Sequence, residues 1–213
     1  MPVLPIYKTD SVELSTRKTI SQLLKGLPQS LHPRALRYRR ETDAYNFIAG
    51  RLLLKRGLED LGVEETMEDI QIGDSGKPFL RSVFFNISHT DGLVVCALSE
   101  DGRIGIDVEK ERTVELENFC SWFTPIEWKD IQEATFPLQQ FYRYWTRKES
   151  MIKALGLKLS FLNQMNLDVN LDMFEAEGKP WYLKELVLGE GYWGAICTEV
   201  GVDASICVKD IDL

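Results

Sequence analysis

The sequence predicts an α+β fold made of two similar halves. Segments with helical patterning are followed by segments with strand patterning, and this order occurs twice along the chain, which favours α+β over alternating α/β architecture. The pieces "GLVVCALSEDGRIGIDV" and "GYWGAICTEVGVDASICV" share a pattern that points to a duplicated unit. At 213 residues and 44% hydrophobic, the chain is one large domain or two small ones with a proper core. No Pro- or Ser-rich linker interrupts it, so halves at 1–104 and 105–213 are expected to pack closely rather than float.

The first third reads as helical. A piece near 16–26 is started by Ser15 or Thr16, and a longer one near 42–61 by Thr42 or Asp43, side chains that accept from the open amides of a first turn. In "IQIGDSGKPFL" an Asp74–Ser75–Gly76 turn separates two short extended pieces, and "FFNISHTDGLVVCALSEDGRIGIDVE" reads as three strands and two turns. In "TPIE", Thr124, Pro125 and Glu127 suit the N-cap, N1 and N3 positions of a helix. A long helix follows from about 138 to 155. Its residues Phe141, Tyr142, Trp145 and Ile152 fall within one arc of about 100°, with Arg143, Thr146, Arg147 and Ser150 on the other side. The stretches "NLDVNLDMFEAEG", "PWYLKELVLGEGYWGAICTEV" and "ASICVKDID" return to strands.

Composition narrows the partners. A net charge of -8 argues against general nucleic-acid binding, yet residues 17–56 carry ten Lys or Arg against Glu41 and Asp43, so that segment is +8 and the remainder -16. It is either a solvated helix face or a footprint for a phosphorylated ligand or acidic partner. No apolar run approaches 18 residues, and "MPVLPIYKTD" lacks the regions of a signal peptide, so a cytoplasmic protein without a membrane segment is expected. Cys96, Cys120, Cys197 and Cys207 are scattered with no CxxC pair, which predicts reduced, buried thiols and no zinc.

Two places carry chemistry. Glu149 lies inside the apolar arc of the long helix, where an unpaired charge is costly, so it needs a cation or donors; Lys153, one turn on, is one source. In "RIGIDVEK", Asp107 and Glu109 share a strand face about 6.5 Å apart, where two charges repel by about 2.5 kcal/mol at an effective dielectric of 20. Alone, that face also reads as the solvated side of an edge strand. Two strand carboxylates and a third from a helix make a hard-oxygen set that suits Mg²⁺. Ser88 beside His89 in "NISHT" suggests a hydrolase, but adjacent strand residues point to opposite faces and no G-x-S-x-G elbow is present. At a strand end both side chains can instead donate to a phosphate oxygen.

"GKP" (76–78), "FNISHT" (85–90), "GIDVE" (105–109), "FTPIE" (123–127) and "WTRKESMIKALG" (145–156) occur in an order and spacing that resemble the 4'-phosphopantetheinyl transferases of the Sfp (surfactin-synthetase-activating) type. The resemblance implies an intramolecular pseudo-dimer of two α+β halves, active as a monomer, with coenzyme A in the cleft between them. It implies transfer of the 4'-phosphopantetheine arm of coenzyme A to a serine of an apo acyl or peptidyl carrier protein, with Mg²⁺, releasing 3',5'-ADP. By motif, Asp107, Glu109 and Glu149 are the implied metal ligands, Lys153 and His89 contact the phosphates of coenzyme A, and Lys77 and Ser88 assist. Where the family tends to carry an Arg on the early helix this chain has Asn46, so Arg34, with Arg37 or Arg40, is implied for the 3'-phosphate. Leu93 replaces a frequent aromatic after the His motif. Glu127 is either a helix cap or the general base for the serine proton. Trp122, Phe123 and Trp128 are either carrier contacts or core. A Mg²⁺-dependent phosphohydrolase and a non-catalytic coenzyme A or carrier-binding protein are the two rival readings of the same residues.

Overall fold

The computed structural model describes residues 3–73, 76–201 and 205–213, and its fold is mixed α+β. The chain forms two compact units, Met1–Asp101 with Asp203–Leu213, and Gly102–Val202. The unit boundary thus falls a few residues before the expected one, and the last strand belongs with the first unit.

The first unit begins with β1 (Val3–Asp10), in a region that the sequence suggested was helical. Two short helices follow, α1 (Ser11–Arg17) and α2 (Ile20–Leu24), then α3 (His32–Leu36) and the long α4 (Glu41–Leu61). Their caps differ from the expected ones. Asp10 accepts from the Val12 and Glu13 amides at 2.8 Å each, Thr19 forms a capping box with Gln22, and α4 starts after Arg40 with no side-chain cap. Gly62, at φ 68°, ends α4 in the left-handed conformation. The expected pair of short extended pieces is present as β2 (Gln71–Ile72) against β3 (Pro78–Phe79), while the Asp74–Ser75 part of its turn lies outside the described residues. β4 (Phe84–Thr90) and β5 (Leu93–Ser99) form the expected hairpin.

The sheet of this unit has the order β10-β1-β5-β4, where β10 is Ser205–Asp210 and runs parallel to β1. Pro5 has no amide proton, yet β1 is an interior strand. Its ladder with β5 begins only at Ile6, so Pro5 sits beyond that edge of the pairing. α4 packs on β1, β4 and β5 through Ile48, Leu53 and Leu54, against Tyr7, Val94 and Leu98.

The second unit opens with β6 (Ile104–Lys110), the third expected strand. A 3₁₀ segment, Leu116–Trp122, leads to α5 (Pro125–Glu133), α6 (Pro137–Leu155) and another 3₁₀ segment, Leu159–Gln164. β7 (Met173–Ala176), β8 (Lys179–Glu185) and β9 (Tyr192–Thr198) complete a sheet of order β6-β9-β8-β7. α6 lies across β6, β9 and β8 on one side and meets α5 and the second 3₁₀ segment elsewhere. The helix is therefore enclosed almost all round. Thr146, Arg147 and Ser150, expected away from the core, are as buried as Phe141, Tyr142 and Ile152; Arg143 is half-buried, and Lys148, for which no side was expected, is buried too. Phe123 belongs to this core, with Trp122 and Trp128 packed against it, so the aromatic cluster is core packing.

The approach of α6 to β6 is set by Gly105. A Cβ there would lie 2.2 Å from the Ser150 carbonyl oxygen and 2.4 Å from the Ala154 amide nitrogen, both main-chain atoms of α6. Ion pairs close the sheet at the end where β6 begins. Arg103 donates to Glu199 at 2.7 Å, to Glu177, and stacks over the Trp181 ring at 4.7 Å. None of the four cysteines is in a disulfide; Cys96 and Cys197 are buried and Cys207 is half-buried, but Cys120 is exposed, on the 3₁₀ segment before α5, which departs from the expectation. Among the described residues no helix is long and apolar enough to cross a membrane.

Gly105→Ala should push α6 off β6 and cost about 3 kcal/mol, a fall in Tm of roughly 10 °C, read by calorimetry. A change below 1 °C would mean the two backbones yield easily. A second expectation concerns acid. Burial tends to raise the Glu199 carboxyl, but hydrogen bonds from Arg103 and Lys179 overcome this and hold it at about 2, against an ordinary 4.5. The folded form binds this proton more weakly than the unfolded form, so the contribution is complete above pH 4.5 and is lost as pH falls toward 2. Between those values Tm should fall more steeply for the parent chain than for Glu199→Gln; parallel curves would remove Glu199 from the acid response.

Candidate active site

Strand alternation puts Gly105, Asp107 and Glu109 on one face of β6, and helical spacing stacks Glu149 and Lys153 one turn apart on α6. Because Gly105 admits the helix so closely, the two sets meet. The Lys153 ammonium donates to Asp107 Oδ1 at 2.5 Å and lies 3.8 Å from Glu149 Oε2. β6 is an edge strand, but the face carrying Asp107 is covered, leaving that residue 3% exposed, so the solvated-edge alternative is removed. The simple Glu149–Lys153 pair is also incomplete, since the nearer carboxylate is Asp107.

The electrostatics follow from this crowding. Burial, and then the charge of Asp107, push Glu149 up to about 7; Glu109 adds to this and Lys153 opposes it. Burial disfavours the Lys153 ammonium, but Asp107, Glu149 and Glu109 together outweigh that and raise its pKa. Among the described residues no three His, Cys, Asp or Glu side chains stand in metal-holding geometry, and Lys153 takes the central place. The donor chemistry nevertheless fits a hard divalent cation. Three carboxylates face one ammonium, so the cluster carries more negative than positive charge in hard oxygen donors.

Glu127 sits at the start of α5, fully buried. It completes the expected capping box, accepting from the Thr124 amide at 2.8 Å while its own amide donates to Thr124 Oγ1 at 3.4 Å. Its carboxylate also accepts from Lys148 Nζ at 2.5 Å and from the Leu167 amide at 2.8 Å. Sequence reasoning missed Lys148. Its partner is 21 residues away, and nothing local marks a lysine between Arg147 and Glu149 as buried.

The remaining predicted residues belong to the first unit. On β4, Ser88 is buried and His89 exposed, so they face opposite sides as the strand period requires. Lys77 is half-buried just before β3. Arg34 is exposed on α3, with its guanidinium 5.1 Å from the Phe47 ring centroid; Arg51 of α4 lies 5.3 Å from the same ring. Arg34 and Arg51 line one cavity of about 490 Å³ with Ser30, Ile72 and Pro78. Arg51 belongs to the basic segment but not to the binding residues that the motifs imply. Arg37 is exposed at the end of α3 and does not line this cavity. Asn46 lines a different one, of about 410 Å³, with Arg40 as the basic residue beside it.

Lys153→Met should destabilise the chain by about 3 kcal/mol, because it leaves the buried Asp107 charge uncompensated, and adding Asp107→Asn should recover much of that loss. Chemical denaturation of the three variants measures this; an additive double mutant would show that the pair is not coupled.

Comparison with known proteins agrees with this geometry. The 4'-phosphopantetheinyl transferase superfamily matches residues 103–197, the segment that carries β6, α5 and α6. A 4'-phosphopantetheinyl transferase of Bacillus subtilis is 30% identical over 174 residues, covering 76% of this chain and 77% of the relative. The 4'-phosphopantetheinyl transferase gsp of Aneurinibacillus migulanus is 30% identical over 172 residues, 76% of this chain and 72% of the relative. A phosphopantetheinyl transferase from Thraustochytrium is 30% identical over 164 residues, and there the chain spans 57% of the relative's length. With the acid cluster on β6 and α6 inside the matched segment, the chain belongs to the 4'-phosphopantetheinyl transferase superfamily.

Proposed function

We propose that this chain moves the 4'-phosphopantetheine arm of coenzyme A onto a serine of an apo acyl or peptidyl carrier protein, releasing 3',5'-ADP. The observation that carries the reading is the meeting of Asp107, Glu149 and Lys153 at the β6–α6 contact. In the transfer, the serine oxygen bonds to the β-phosphorus, the bridging oxygen leaves with 3',5'-ADP, and the serine proton goes to water. Asp107, Glu109 and Glu149 would hold Mg²⁺, which when bound supplies positive charge to the pyrophosphate. Lys153 donates to a phosphate oxygen, where its ammonium stabilises charge on the departing group. His89, Ser88 and Lys77 orient the phosphates of coenzyme A. Arg34 and Arg37 hold its 3'-phosphate; the Arg34–Arg51 cavity, with two guanidinium groups that share one ring, supports the role of Arg34 and does not include Arg37. The carrier, usually acidic, would dock through the basic segment of residues 17–56. The proposed enzyme works as a monomer in the cytoplasm, on neither nucleic acid nor membrane.

Incubation of candidate apo carriers with coenzyme A, Mg²⁺ and the chain, followed by intact mass measurement, tests this. At least one carrier should gain the phosphopantetheine arm, and Glu149→Gln should slow loading by about 100-fold. If no carrier gains it, the transferase reading fails. If Glu149→Gln retains full rate, the cation assignment fails, and phosphate-ester cleavage of coenzyme A without any carrier would favour a hydrolase.

A further inference from the structure

The Glu127–Lys148 pair lies outside the acid cluster and, among the described residues of the second unit, is the most completely enclosed ion pair, with side chains 0% and 1% exposed. The polar groups that meet its carboxylate are donors. Oε2 accepts from Lys148 and from the Thr124 amide, and Oε1 accepts from the Leu167 amide. Lys148 also donates to the Met165 carbonyl at 2.9 Å. A carrier serine would have to displace a buried ammonium to reach this carboxylate, at a cost in desolvation that a proton acceptor does not ordinarily carry.

The pair is placed to control something else. Lys148 immediately precedes Glu149, and successive helical side chains diverge by 100°, so anchoring Lys148 sets the rotation of α6 about its axis and with it the direction of Glu149. The anchor is itself fixed at two points, the first turn of α5 and the segment 165–167. Those two are joined again where Thr124 Oγ1 donates to Asn166 Oδ1 at 3.3 Å.

We infer that Glu127 and Lys148 are positioning residues, which hold the turn of α6 bearing Glu149 against β6, and that Glu127 is not the acceptor of the serine proton. What Glu149 holds there rests on the transferase reading above.

Four full-length proteins test this: the parent, Glu127→Gln, Lys148→Met and the double variant. Binding of Mn²⁺, a spectroscopic stand-in for Mg²⁺, is followed by electron paramagnetic resonance in the presence of coenzyme A. Carrier loading gives kcat and the KM for coenzyme A. Each single change leaves a buried charge without its partner and should weaken Mn²⁺ binding by about 10-fold and lower kcat by about 10- to 100-fold, with KM changed less than about 3-fold. In the double variant the amide oxygen introduced by Glu127→Gln still caps α5 and no charge is stranded, so both Mn²⁺ affinity and kcat should return to within about 5-fold of the parent. The inference is overturned if the double variant keeps its melting temperature and Mn²⁺ affinity but loses kcat by about 1,000-fold or more, as removal of a proton acceptor requires. It is also overturned if Lys148→Met matches the parent in both readouts. Should the single variants fail to fold, the double variant decides alone by the same criteria. If the parent loads no carrier, the transferase reading falls while the Mn²⁺ titrations still decide the positioning role.

Discussion

At Gly105 the main chain of β6 runs so near α6 that one added methyl group would overlap the Ser150 carbonyl and the Ala154 amide. The charged cluster exists only because of that distance. Asp107 has a short side chain and Lys153 a long one, and their hydrogen bond at 2.5 Å requires the two backbones to be in van der Waals contact two residues away. The same closeness keeps water from most of Asp107, so the interactions of its charge are weakly screened. A residue with no side chain thus determines the electrostatics of three that have ionisable ones.

The two lysines of α6 show how local surroundings divide identical side chains. Both lose hydration. Lys153 faces three carboxylates, and their combined field raises its proton affinity despite burial. Lys148 faces one, and desolvation prevails, so its pKa falls. Five residues apart on one helix, they serve different ends: one ammonium stands among acids that outnumber it, the other is matched one to one and tied to main-chain carbonyl oxygen.

Much of this was legible in the sequence, and what was not shares a cause. "TPIE" announced the start of α5 because a capping box is made within four residues, and the hairpin of β4 and β5 was visible because its turn and alternation are local. The three acids were legible because strand and helix periods place side chains without any knowledge of tertiary contacts. The burial of Lys148 and Arg147 was not, since a single stripe describes a helix covered on one side and α6 is covered on several. β1 was missed because Pro5 argues against an interior strand until one knows that its ladder with β5 starts at Ile6. The cap of α1 was missed for the same reason: Asp10 is also the last residue of that strand.

β10 lies beside β1, although nearly two hundred residues separate them along the chain. A ribosome makes β10 only after β1 and the whole of the second unit, so the first sheet is left with a bare parallel edge while that unit is made. The second unit, Gly102–Val202, needs no such later strand and is free to settle while its neighbour waits. Order of manufacture and order of completion are therefore reversed in this molecule, and the half that emerges first is the half that depends on the other having been made.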